Sequence, residues 1–290
     1  MIHLIRLPFA LLLSFCVVLC SHTQAASVWK VSSDKHSLYI GGTIHVLAPE
    51  DYPLPEKYDE AFIAASKIVF ETDMAAINSA EFKQQMMAQM TYTDGTTVDQ
   101  VLSTDTYQAL TQHLDQRGIP VANIASMKPS LLAMTLSVIE LQKMGFTSIG
   151  VDQFYAKLAV EKGKKLAWLE SPDEQISFLV NMGHGDGNEL IAYSLRDIKD
   201  MPDTVGKLRS AWQLGDMDAL AQVGIVQFKT DYPEIYQDLL VTRNNNWLPQ
   251  IENMLEDEAV ELILVGALHL AGPDSVLSTL AAKGYKVEKL

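Results

Sequence analysis

The chain has 290 residues, of which 48% are apolar and 20% charged, an ordinary globular composition long enough for one large domain or two small ones. Its formal net charge is −14, which excludes a nucleic-acid partner, since that would need a basic face.

"MIHLIR" is a weakly basic start, and "LPFALLLSFCVVLC" is a charge-free apolar run too short for a full membrane span. "SHTQAAS" then supplies small residues. Residues 1–26 are therefore predicted to be a secretory signal peptide, cleaved near Ala25 or Ala26. Cys16 and Cys20 are the only cysteines, and both would leave with it. The remaining chain would have no disulfide, no thiol nucleophile and no zinc–thiolate site. The expectation is an exported chain, periplasmic or secreted, with no membrane span after cleavage.

"SVWKVSS" and "SLYIGG" read as a β-hairpin, "EKYDEAFIAAS" as a helix and "KIVFETD" as a buried strand. From about residue 78 the period becomes helical. "SAEFKQQMMAQM", "STDTYQALTQHLDQRG", "KPSLLAMTLSVIELQKMG" and "VDQFYAKLAVEKG" follow, with glycine stops at Gly118, Gly145 and Gly163. "KKLAWLE" is a short strand. "SPDEQISFLVNMG", "GNELIAYSLRDI", "DTVGKLRSAWQLG", "DMDALAQVG" and "YPEIYQDLLVTRNNNWLPQIENMLED" are predicted helices, and the chain ends β-α-β with "AVELILVGA", "PDSVLSTLAAKG" and "YKVEKL". The predicted class is α/β (α+β). A central mixed β-sheet is built from both chain ends plus a middle strand, and a large helical insertion spans about residues 78–256. No Gly/Ser- or Pro-rich linker divides residues 27–290, so they are expected to form a single domain.

Chemistry is predicted where strands end, because open α/β sheets bind ligands beyond their carboxyl edges. "GTIH" (Gly42 to His45) and "GALH" (Gly266 to His269) each place a histidine just past a strand. Two imidazoles at one edge can share a cation or divide the roles of base and electrophile. Glu71 ends the strand "IVFE"; Thr72 or Asp73 can cap the following helix, which leaves Glu71 without a capping role. Glu170 repeats the pattern before Ser171 and Glu174, a capping box. Arg243, in "VTRNNNWLPQI", can clamp a carboxylate, stabilise an oxyanion or pair with a neighbour such as Asp238, and Asn244 can hydrogen-bond substrate. His184, among glycines in "NMGHGDGNE", reads as a turn. His113 and His36 are expected to face solvent.

The stretches "YIGGTIHVL", "FETD", "SIGVDQFYAKLAVEKGKKLAWLESPDEQ", "TRNNNWLPQI" and "LVGALHLAGPDSVLSTLAAKGYKV", in this order, resemble the TraB/GumN family, which includes the animal Tiki proteins and the bacterial PrgY and GumN groups. The resemblance implies a Tiki-like metal-dependent peptidase using both Gly-x-x-His motifs and an acidic residue, with manganese or cobalt favoured. It makes His45 and His269 the metal or catalytic histidines, Glu71 the acidic residue and Arg243 the basic one. Glu170 matches a further family position and is a fourth candidate metal ligand beside His45, His269 and Glu71. Imidazole and carboxylate donors suit manganese, cobalt or zinc alike. The expected function is metal-assisted hydrolysis of an amide or ester, with a peptide or protein as substrate. Two alternatives use the same cleft: capture of a peptide or signal without turnover, and binding of haem or iron, as the family's similarity to ChaN-like proteins implies.

Overall fold

The computed structural model describes residues 26–147, 149–182 and 185–290. The predicted signal segment up to Ala25 and the His184 turn lie outside the described residues. The chain begins with the hairpin β1 (Val28–Ser32) and β2 (Ser37–Thr43), then α1 (Glu56–Ala64), β3 (Lys67–Phe70) and α2 (Met74–Ile77). Five helices follow: α3 (Ala80–Met90), α4 (Val98–Val101), α5 (Thr104–Asp115), α6 (Pro129–Lys143) and α7 (Val151–Glu161). β4 (Lys165–Trp168) precedes α8 (Pro172–Asn181), α9 (Gly187–Leu214), α10 (Met217–Gly224), α11 (Val226–Asp231), α12 (Pro233–Tyr236) and α13 (Arg243–Met254). β5 (Glu261–Gly266), α14 (Val276–Ala282) and β6 (Lys286–Lys289) close it.

The six strands form one sheet in the order β4-β3-β5-β2-β1-β6. β2, β5, β3 and β4 run parallel to one another, whereas β1 is antiparallel to both β2 and β6. This is the α/β architecture expected, with a mixed sheet drawn from both chain ends and the middle strand β4. β5 lies between two strands from the first quarter of the chain, β2 and β3. Their central residues are apolar without alternation because both faces are covered. On one face Ile68, Phe70, Leu262 and Leu264 pack with Tyr58 of α1, Tyr155 of α7 and Trp212 of α9. On the other, Val69, Ile263 and Val265 pack with Trp247 and Ile251 of α13 and Leu277 and Leu280 of α14. The helical region has its own core, centred on Leu110, Leu114, Leu132, Leu136, Ile191 and Leu195.

The structure departs from the sequence reading in several places: the short helices α4 and α11 are not among the expected elements, and His36, expected in solvent, is half-buried. The two helices expected over 187–198 and 203–214 are one 28-residue helix, with Pro202 inside it. Both halves bury an apolar stripe, Leu190, Ile191, Leu195 and Ile198 in the first and Ala211 and Trp212 in the second, and this burial outweighs the hydrogen bond that proline cannot donate. The helix expected over 232–257 contains a π-helical turn at Gln237–Thr242, immediately before Arg243. His113, expected in solvent, packs against the Arg117–Glu140 ion pair with its side chain 11% exposed.

Candidate active site

The four parallel strands point their carboxyl ends at one edge, and each supplies one candidate residue. His45 follows β2, Glu71 follows β3, Glu170 follows β4, and His269 lies in the short turn Ala267–Leu270 after β5. Asp73 caps α2, and Ser171 with Glu174 forms the capping box of α8. Capping thus accounts for the neighbours and leaves Glu71 and Glu170 free for the site.

Arg243 reaches this edge as the first residue of α13, delivered by the π turn. Its Nε and Nη2 donate to the two oxygens of Glu170 at 3.1 and 2.5 Å, and Nη2 also donates to Glu71 Oε2 at 2.6 Å. Nη1 donates to Nε2 of His269 at 3.3 Å and to the carbonyl of Leu239 at 3.4 Å. All five guanidinium N–H donors are therefore taken, and Arg243 pairs with the two strand-end carboxylates rather than with Asp238. Trp247, one turn on, donates from Nε1 to Glu170 at 3.1 Å and packs its ring against His269 and the guanidinium. Glu170 is thus held behind Arg243 as its counter-charge, away from the cleft wall.

The two imidazoles are oriented in the same way and charged differently. Asn244 donates from its amide nitrogen to the carbonyl of Asp274, which turns its Oδ1 toward Nδ1 of His269 at 2.7 Å. His269 therefore carries its proton on Nδ1 and presents Nε2 as an acceptor. Asn244 serves this histidine, not an open ligand position. Burial pushes the His269 pKa down to about 3, with Arg243 and His45 adding to the effect against Glu71. Nδ1 of His45 instead meets Asp152 Oδ2 at 3.2 Å. Its protein surroundings oppose the charge, but Asp152, with Glu71 beyond it, outweighs them and pushes the His45 pKa up to about 9. Glu71 is also set by opposing effects. Burial favours its neutral form, but Arg243, the histidines and the Gly266 N–H, which donates to Oε1 at 2.6 Å, hold its pKa down at about 2. Glu170 lies above its usual range because burial exceeds the pull of Arg243.

Asp152 carries no mark of a site residue in the sequence. It sits in the first turn of α7 and is 8% exposed, where an acidic residue is ordinary on dipole grounds alone. Its connection to His45 is tertiary. The Val151 N–H donates to the carbonyl of Ile44 at 3.1 Å, and a Cβ on Gly150 would collide with the backbone of His45. Only glycine lets the two segments approach this closely.

Glu71, His269 and His45 converge on Gly266. A Cβ added there would stand 3.3 Å from Glu71 Oε1, 3.4 Å from His269 Cδ2 and 3.8 Å from His45 Nε2. The cleft beside it has a volume of about 230 Å³ and is lined by Thr43, His45, Glu71, Thr72, Asp152 and Gln175, among others. Three buried polar atoms of this lining have no protein partner: Thr43 Oγ1, Thr72 Oγ1 and Asp152 Oδ1. Such atoms are costly unless something else satisfies them.

A divalent ion is what the family resemblance implies, and imidazole and carboxylate are donor types that bind one. Each imidazole has Nδ1 tied to an oxygen, as outer partners orient metal-binding histidines; Nε2 of His45 is turned toward Gly266, whereas Nε2 of His269 accepts from Arg243. A carboxylate stands between them, and the missing side chain of Gly266 leaves room. The fit is one of donor type. Among the described residues no three His, Cys, Asp or Glu side chains lie close enough to form a ready cation cage, and Arg243 competes for His269 and Glu71. Haem receives no such support at His269, whose Nε2 faces a guanidinium.

The model of the TraB/PrgY/gumN family matches residues 27–289, and the chain belongs to that family. Neither the curated proteins nor the solved structures compared with it gave a match.

Proposed function

We propose that the protein is an exported hydrolase of amide or ester bonds, with peptides as its substrates, working at the cleft beside Gly266. The convergence of Glu71, His269 and His45 on the carboxyl edge of the parallel strands carries this reading. His45, His269 and Glu71 would hold the divalent ion. When bound, such an ion polarises a carbonyl and lowers the pKa of water.

The chain's own residues have separate tasks in this reading. Asp152 fixes the imidazole of His45 with Nε2 toward Gly266. Glu71, ionised well below neutral pH, is better suited to ligation than to accepting a proton. Arg243 has no N–H to spare for an oxyanion, so it positions Glu71 and His269 against each other. The unpartnered hydroxyls of Thr43 and Thr72 and the amides of Gln153 and Gln175 are the polar donors of the cleft lining.

Export rests on the sequence of residues 1–26, and the family match begins just after them. Among the described residues no helix is long and apolar enough to cross a membrane. N-terminal sequencing of the exported protein should find a start near Ala26 or Ser27; an intact Met1 would refute the signal peptide.

The hydrolase reading is tested by stripping the purified protein with chelator, restoring manganese, cobalt or zinc, and following a mixed peptide library by mass spectrometry. Cleavage is expected only with metal, and not in His45→Ala. Metal uptake without cleavage would replace the enzyme by a peptide-capturing protein using the same cleft. Cleavage unchanged in His45→Ala would remove the site itself from the proposal.

A further inference from the structure

A second concavity opens beside the cleft. It has a volume of about 770 Å³ and lies between α7, α2 and β4, a size typical of ligand pockets. Its walls include Phe70, Thr72, Met74 and Gln153, which also line the cleft, so the two spaces adjoin across a shared wall. They differ in character. The cleft carries the imidazole, the carboxylates and the unpaired hydroxyls, whereas the groove presents Ile149, Val160, Leu166 and Trp168, between 40 and 67% exposed. Apolar side chains gathered in this way mark a binding surface more often than isolated ones do.

β4 forms the floor at the open side. It is the terminal strand of the sheet, and among the described residues its only strand partner is β3. Leu166 and Trp168 are two apart, so they share one face of the strand and line the groove, while Ala167 packs against the opposite core. The outer edge of β4 therefore offers backbone N–H and C=O groups beside an apolar wall. The same strand leads directly to Glu170, the counter-charge of Arg243.

We infer that this groove and the free edge of β4 bind an extended peptide carrying bulky apolar side chains at alternate positions, so that an adjoining amide enters the cleft. The shared wall places the occupant next to the cleft. The free strand edge selects a peptide over an acyl chain, because a peptide pairs its backbone with β4 while its alternate side chains fill the groove, whereas an acyl chain leaves the edge groups unpaired. As a statement about substrate, this rests on the peptide-hydrolase reading; as a statement about binding, it stands apart from it.

Trp168 gives a readout independent of turnover. It is 47% exposed, whereas Trp29, Trp212 and Trp247 are buried, so a change at the groove should dominate a shift in emission. The full chain carrying His45→Ala is titrated with an alternating Leu–Ser peptide, a Gly–Ser peptide of the same length, and dodecanoate. A saturable blue shift is expected with the Leu–Ser peptide alone, and Trp168→Phe should remove it. Leu166→Glu and Val160→Glu, both at exposed positions, should each weaken binding by about tenfold or more, as should N-methylation of alternate peptide amides. Equal shifts with the Gly–Ser peptide would overturn the inference. So would a dodecanoate shift combined with indifference to N-methylation, which would make the groove an acyl site. A blue shift that grows with protein concentration without ligand would overturn it in favour of self-association through β4. Binding in wild type without cleavage would end the hydrolase reading and leave the groove, whereas cleavage indifferent to Leu166→Glu and Val160→Glu would do the reverse.

Discussion

At the scale of single residues, the site is an arrangement of opposite charges taken out of water. Arg243 lies between two buried carboxylates, and removing it leaves both uncompensated. Arg243→Gln should therefore cost about 3–5 kcal/mol of stability, read from urea unfolding, whereas a loss within the range of a surface substitution would show that the clamp is dispensable. Arg243→Lys should recover only part of it, since an ammonium cannot reproduce the planar fork. Asp152 gives a sharper test. Its carboxylate raises the pKa of His45 to about 9, so the stabilisation from this pair is complete below about pH 6.5 and fades as pH rises through about 9. His45 is 62% exposed, and solvent screening keeps that contribution small. In metal-free protein followed by NMR, Asp152→Asn should bring the His45 titration down toward about 6.5. An unchanged His45 titration would sever the pair. The strand-end residues were legible in the sequence because a polar residue closing an apolar run stands out. Asp152 was not, because an aspartate opening a helix needs no special explanation and its partner is 107 residues away.

At the scale of elements, the connection between β2 and α7 decides where His45 stands. Gly150→Ala would drive a methyl group into the backbone of His45. The expected cost is about 1–3 kcal/mol, the usual range for overpacking. The expected signature is a His45 titration restored to its ordinary range although Asp152 is still present. If Gly150→Ala leaves that titration near the wild-type value, the segments are not held as described. Strands were readable as short apolar runs of β-formers, and most helices because each keeps one period. The π turn before Arg243 was not, because its hydrogen-bond pattern leaves no mark on composition. The continuity of α9 was also hidden: Pro202 is a valid stop signal locally, and only the burial of Trp212 at one end and Leu190 at the other overrides it.

At the scale of the whole molecule, stability should be lost on the acid side. His269 is held neutral in the fold, its pKa near 3, so from about pH 6.5 downward the unfolded chain takes up a proton the folded chain refuses, and stability falls until about pH 3. Glu71, held near 2, contributes above the ordinary carboxylate range and loses that contribution as pH falls toward its folded value. The thermal midpoint of the metal-free chain should therefore drop between pH 7 and pH 5, less steeply in His269→Gln; the same slope in both would assign the acid loss elsewhere. The sheet adds a further expectation, since β5 is flanked by β2 and β3. Ending the chain at Asp257 should abolish the cooperative unfolding of the sheet, and a truncated chain that melts at the wild-type midpoint would contradict the topology. The same position of β5 bears on how the protein is made. A polypeptide emerging from the ribosome carries His45, Glu71, Glu170 and Arg243 long before His269, and until β5 arrives the earliest strands have a vacant lane between them. Pairing across so long a stretch of chain is slow. The newborn chain therefore passes through synthesis with these side chains dispersed, and they come together only when one of the last segments to be made slides in between two of the first.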